Sequence, residues 1–271
     1  MRVFSRIVLA AFCAFALAPL TWHVISSLKT PAELASIPPT LLPHNLTWAN
    51  YQELFVRRPF ARYYANSFVI AALSSLLCVS TAALSAYGLA RTSARIRRIT
   101  TSSLLMVAFF PPIVLLFPLY ELVRTAGLLN HAWGLILPYA ALNLPFSIWL
   151  LTGYFSQIPH ELEEAAAVDG LSPFQILTRI VLPLSTPALA TTALLAFIFA
   201  WNEFMFALTF MNVESAKTIT VGVATLSGAF NYEIPWGLLA AGVIASSLPL
   251  IALVVIFQRR IVAGLTAGAG R

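Results

Sequence analysis

Charge is scarce in this chain. Charged residues are 10% of 271, and the balance is basic, with a formal net charge of +6. Soluble domains carry about 25% charged residues, so a water-soluble globular fold is excluded. Cysteine is nearly absent. Cys13 and Cys78 lie in apolar runs, form no CxxC pair and read as free, inert thiols. His23, His44, His131 and His160 are scattered without metal-ligand spacing, so no metal site is assigned. No GxxxxGK followed by Ser or Thr occurs, so the chain carries no loop of its own to cradle ATP. The apolar runs also lack paired acids or histidines at helical spacing, which leaves a membrane-embedded enzyme without its working residues.

Apolar residues are what is there, at 59% of the chain and a mean hydropathy of +0.85. They gather in runs that can each cross a hydrocarbon core of about 30 Å, which takes about 20 residues. The expected fold is an all-α polytopic membrane protein, one transmembrane domain over 1–271. Its six spans are expected at about 7–28, 67–90, 101–122, 132–155, 188–210 and 236–257. A secretory signal is the rival reading of the first run, because Ala16-Leu17-Ala18 has the shape of a cleavage site. Pro19 would follow the cut directly, and the run continues past it, so an uncleaved span is read. Residues 29–63 hold Pro31, Pro38, Pro39, Pro43 and Pro59 and are expected to be irregular and partly extended. Pro111, Pro112 and Pro118 interrupt the third run and point to a bent helix in the protein interior.

Arginine placement orients the spans. Arg2 and Arg6, then Arg91, Arg95, Arg97 and Arg98, then Arg259 and Arg260 fall on one side of a six-span arrangement. Short loops follow the positive-inside rule, so both termini are expected in the cytoplasm. Arg57, Arg58 and Arg62 fall outside, in the long loop where the rule binds least. This pattern suits lipid headgroups and topology rather than nucleic acid.

One polar island breaks the apolar pattern. Residues 161–187 read ELEEAAAVDGLSPFQILTRIVLPLSTP. Acids crowd the first turn of a helix over Glu161 to Val168, where they favour its dipole. Gly170 can take the left-handed conformation that ends a helix. Ser172 suits an N-cap, Pro173 the first helical position, and Gln175 closes a capping box. Pro183 and Pro187 end or kink this second helix. The product is a helix–glycine–helix bracket, expected on the cytoplasmic face.

The spacing of Glu164-Ala165-Ala166, Gly170 and Ile180-x-Leu182-Pro183 resembles the EAA motif of permease subunits in binding-protein-dependent ABC importers. Trp201-Asn202-Glu203, the loop sequences Lys29–Glu33 and Thr47–Tyr51, and the tail from Gln258 to Leu265 resemble carbohydrate importers of the maltose-transporter type, in particular their second permease. The resemblance covers nearly the whole chain. It implies a type I ABC importer fold, with 161–187 as the coupling segment. Glu164, Ala165, Ala166, Asp169, Gly170, Ile180 and Pro183 are the implied ATPase-coupling residues. Gln258, Arg259 and Gly264 are implied as a C-terminal ATPase contact. Implied partners are a homologous second permease, an ABC ATPase dimer and an extracytoplasmic solute-binding protein. ATP and Mg would sit on the ATPase, with no cofactor in this chain, and the implied location is a bacterial or archaeal cell inner membrane.

Glu203 is the most expensive residue in an apolar run. A charge at the bilayer centre costs about 2.5–3.5 kcal/mol on insertion scales. Glu203 stands about 17 residues beyond Thr186, or roughly 25 Å along a helix, toward the outer face. It is read either as part of a wet translocation path or binding-protein contact, together with Trp201 and Asn202, or as an interfacial carboxylate paired with Asn202 or a partner subunit. Trp201 alone is more often an interfacial anchor than a sugar platform. The expected function is half of the membrane pathway for a carbohydrate, a disaccharide or oligosaccharide. A permease for a different small solute, or an ion-coupled secondary transporter, remains the alternative; the latter normally keeps ionisable groups near the midplane.

Overall fold

The structure, a computed structural model, describes the backbone of residues 2–227 and 234–269 and the side chains of 4–227 and 234–258. Every regular element among the described residues is helical. Four helices are long and apolar enough to cross a membrane: Phe4–Ser27, Phe60–Ala90, Trp133–Phe155 and Trp236–Gln258. Two further bent pairs qualify if each is one span. Ala94–Ala108 with Pro112–Thr125 bends by 78°, and Pro173–Leu184 with Thr186–Asn202 bends by 82°. The four long helices overlap the first, second, fourth and sixth apolar runs, and the bent pairs overlap the third and fifth. The fifth differs from the expected 188–210 in taking in Pro173–Leu184, read as part of the polar island, and in ending at Asn202.

The second helix begins at Phe60, earlier than expected, because Pro59 opens it. The Pro59 carbonyl accepts from the amides of Arg62 and Tyr63, and a proline at a helix entry gives up no needed N–H. The third run is broken rather than merely bent. Its first helix stops at Ala108, and a 3-10 turn over Pro112–Leu115 restarts the chain. Pro111 and Pro112 cannot donate to the preceding turn. On the single chain Phe109 and Phe117 at the break are 80% and 78% exposed, while Leu104 of the same run packs against the core. Exposed phenylalanine is at no disadvantage in hydrocarbon, where lipid is as apolar as the side chain.

The chain forms two compact units, residues 1–65 with 217–251 and residues 66–216 with 252–271. In the first, the loop 29–63 is more ordered than its prolines suggest. It contains short helices at Pro31–Leu34 and Ala49–Gln52 and a π-turn at Glu53–Arg57. Thr30 caps the first of these by accepting from the Glu33 amide. Lys29 is buried, donates to the Thr40 carbonyl and lies 5.2 Å from the Trp22 ring centre. The Asn50 amide donates to the carbonyls of Ser27 at 2.9 Å and Lys29 at 3.2 Å. Gly222 admits the Tyr63 ring so closely that a Cβ there would lie 2.4 Å from it.

The second unit is built on small residues. Ala82, Ala83, Ala86 and Ala90 of the Phe60–Ala90 helix pack with Ile148, Leu151 and Phe155 of the Trp133–Phe155 helix. Small side chains let helix backbones approach, which is how helices associate where lipid removes the hydrophobic drive. The Ser75 hydroxyl donates to the Ala193 carbonyl at 2.6 Å. Asn130 takes a left-handed φ of 61°, and its side-chain oxygen accepts from the amides of Asn212 at 2.6 Å and Val213 at 2.9 Å. Asparagine tolerates that conformation better than most residues.

Candidate functional site

The bracket folds as its sequence dictates. A helix runs over His160–Val168 and Gly170 follows with φ at +85°. Nothing lies within 4 Å of where a Cβ on Gly170 would point, so glycine is needed there for backbone conformation, not for space. Ser172 accepts from the Gln175 amide while the Gln175 side chain accepts from the Ser172 amide, a complete capping box. The chain then passes through a π-turn at Leu177–Val181 and turns sharply into Thr186–Asn202.

The His160–Val168 helix has two faces. Glu163 and Ala166, three residues apart, point inward and are buried. Ala166, Ile176, Leu177 and Val181 join the alanine-rich core of the second unit. Glu164, Ala165, Val168, Asp169 and Gly170 are exposed. The structure therefore separates two residues that the motif groups together: Ala165 is exposed, and Ala166 holds the bracket to its own chain. Ile180 is partly buried against the same core, and Pro183 is exposed. Gln258 is exposed; the side chain of Arg259 and the burial of Gly264 lie outside the described residues.

An ion pair fastens the inner face. Arg91 donates through Nε to Glu163 Oε2 at 3.0 Å and through Nη2 to Oε1. Its Nη1 donates to the Phe155 carbonyl at 3.2 Å. The Tyr87 hydroxyl donates to Glu163 Oε2 at 3.1 Å. Burial pulls the Arg91 guanidinium below its ordinary value, and Tyr87 works against that shift. An arginine still stays charged. Sequence reasoning read Arg91 only as a topological marker and Glu163 only as one acid among several. The available signal was that Glu163 and Ala166 share a helix face opposite Glu164.

The second group of candidates sits at a helix break. The Thr186–Asn202 helix ends at Asn202, and Glu203 is extended, with φ −67° and ψ 134°. A new helix starts at Met205. The Glu203 carboxylate accepts from the amides of Phe206 at 3.0 Å and Ala207 at 3.1 Å, so it caps that helix. It also accepts from the Tyr139 hydroxyl. Asn202 is exposed, and its amide donates to the Ile198 carbonyl rather than to Glu203. Trp201 is 2% exposed and stacks on Phe197, with ring centres 5.7 Å apart. The break and Tyr139 were not read from the sequence. Apart from these residues, a cavity of about 590 Å³ at the third-run break is lined by Met106, Phe110, Pro112, Leu115, Pro138 and Pro145. Among the described residues no cluster of His, Cys, Asp and Glu could hold a metal ion.

Residues 79–266 match the family described as the inner membrane component of binding-protein-dependent transport systems. The chain belongs to this family. The matched stretch takes in the alanine-rich core, the Arg91–Glu163 pair, the bracket and the Glu203 break. The sulfoquinovosyl glycerol transport system permease protein SmoH of Agrobacterium fabrum is 40% identical over 250 residues, 92% of this chain and 87% of that protein. The trehalose/maltose transport system permease protein MalG of Thermococcus litoralis is 39% identical over 271 residues, 99% and 95% of the two chains. A chain in the crystal structure of a bacterial ABC transporter involved in the import of the acidic polysaccharide alginate superimposes with a TM-score of 0.82. It covers 95% of each chain at 24% identity, which is a likeness of fold. As a transport-system inner membrane component, the chain is a multi-pass membrane protein.

Proposed function

We propose that this chain is a permease subunit of an ATP-driven importer and forms half of the membrane pathway for a carbohydrate. Full-length similarity to permeases whose names specify sulfoquinovosyl glycerol and trehalose or maltose carries this reading. Six spans with both termini in the cytoplasm fit the arginine distribution. The bracket then lies in the cytoplasm and serves as the coupling segment. Its inner face is bound to the second unit, and its outer face presents Glu164, Ala165, Asp169 and the exposed apolar side chains of Val168 and Phe174. An acidic rim around a small apolar surface suits a cleft with basic groups on a separate ATPase. That ATPase supplies the ATP chemistry, with Mg, and a solute-binding protein delivers the sugar from outside.

The test is reconstitution with the second permease, the ATPase and the binding protein in proteoliposomes, with labelled trehalose as the probe. Uptake should require both ATP and the binding protein. Uptake driven by an ion gradient without ATP would replace this reading with a secondary transporter. ATP-dependent transport of a different solute only would keep the importer and discard the sugar.

A further inference from the structure

We infer that the Arg91–Glu163 pair is the positioning joint that passes movement of the bracket to the Phe60–Ala90 and Trp133–Phe155 helices. The inference rests on the importer reading above. Arg91 is the first residue beyond the Phe60–Ala90 helix. One guanidinium grips three elements at once: its own helix end through the chain, the bracket through both Glu163 oxygens, and the last residue of Trp133–Phe155 through the Phe155 carbonyl. That carbonyl belongs to a helix C-terminus, where it has no partner within the helix and where positive charge is favoured.

The geometry is stiff. A two-point guanidinium–carboxylate contact fixes orientation as well as distance. Tyr87, one turn back from Arg91, bonds the same carboxylate and lies 5.6 Å from the guanidinium carbon. The side chains of Arg91 and Glu163 are 16% and 10% exposed, so water competes weakly for them. Ala166 sits on the same face of the bracket helix and packs on the alanine ladder. Apolar packing alone would let the bracket slide along that ladder, because alanine surfaces are smooth and non-directional. The ion pair removes that freedom. A push on the outer face at Glu164 and Ala165 is therefore delivered to two membrane helices together. Arg91 and Glu163 act through the helices they join.

The experiment uses the full complex in proteoliposomes, with an environment-sensitive fluorophore on Leu84→Cys in a Cys13→Ser background. Leu84 is 53% exposed on the Phe60–Ala90 helix, and Cys78 is buried. ATP with vanadate should shift the emission in the parent protein. Arg91→Glu or Glu163→Arg should cut that shift about fivefold or more, at the lower edge of coupling factors between linked sites, while the ATPase stays bound. The double exchange should restore it, and Arg91→Lys, which keeps charge but loses the fork, should fall between. An undiminished shift in the single variants overturns the joint, as does a parent protein whose emission ignores nucleotide. Loss of the ATPase from both reversals and from Arg91→Lys also overturns it, because the pair would then only maintain the bracket's shape. If the parent chain itself never binds an ATPase, the importer reading fails instead.

Discussion

Tyr139 donates its hydroxyl to the carboxylate of Glu203, across a sequence distance of 64 residues. The same carboxylate caps the helix that starts at Met205. Glu203 thus closes a break in the fifth apolar run and ties that break to the fourth. Glu203→Ala strands two backbone amides and a phenol, each a buried or half-buried donor. Stranding such donors costs about 1–3 kcal/mol. Tyr139→Phe removes one donor and leaves the caps, so it should cost less. The two substitutions should couple by about 0.5–3 kcal/mol in a double-mutant cycle. Thermal unfolding in detergent reads this, and additive effects would mean that the contact carries no energy.

Glu203→Gln keeps an acceptor for one amide and for Tyr139. It should leave the chain folded and lower uptake if the carboxylate borders the solute path. Unchanged uptake at normal expression would assign Glu203 to helix capping alone.

The two faces of the bracket predict opposite consequences for neighbouring alanines. Ala165→Leu points away from the chain and should leave unfolding unchanged while weakening co-purification of the ATPase. Ala166→Leu intrudes on the packed core, where overfilling costs about 1–3 kcal/mol, and should lower the unfolding temperature. Gly170→Val has open space at its Cβ but must adopt φ near +85°, at about 1–2 kcal/mol. Together with Glu164→Lys, it should abolish stimulation of ATP hydrolysis by the loaded binding protein. Wild-type stimulation in both variants would remove the bracket from coupling.

Topology is testable by cysteine labelling. Arg95→Cys and Ser215→Cys, both at exposed positions, should react with an impermeant reagent from opposite sides. Gly222 lies in the same stretch between spans but is closed to labelling by the Tyr63 ring. Labelling of both positions from one side would end the six-span arrangement.

The loop after the first span should carry a pH response. The His44 amide, 2.8 Å from Glu33, leads in holding the Glu33 carboxyl below its ordinary value of 4.5, and the Thr40 hydroxyl adds to this. A depressed carboxylate stabilises the folded loop above its unfolded value, and that contribution is lost as pH falls through the folded value. Protection factors across residues 30–44, hydrogen exchange corrected for its intrinsic pH dependence, should hold at neutral pH and fall as the pH drops below 4.5 through the lowered folded value. Glu33→Gln should show lower protection factors at pH 7 and lose their fall at acid pH.

The sequence by itself determined the membrane setting and the bracket. Apolar runs of sufficient length can satisfy their backbone only as helices in lipid, so the spans followed from composition and length. The bracket was equally legible, because Gly170, Ser172, Pro173 and Gln175 act within a few residues of one another and need no distant partner. Tertiary structure decided everything that depends on pairing across the chain. It chose Glu163 over Glu164 for Arg91, placed Ala166 inside and Ala165 outside, and joined Tyr139 to Glu203. These choices depend on which helix faces meet, and meeting is set by close packing of small residues from segments 60 to 80 positions apart. Local pattern carries no record of such encounters, so Arg91, the first of four arginines after a span, reads as a topological marker until the carboxylate opposite it is seen.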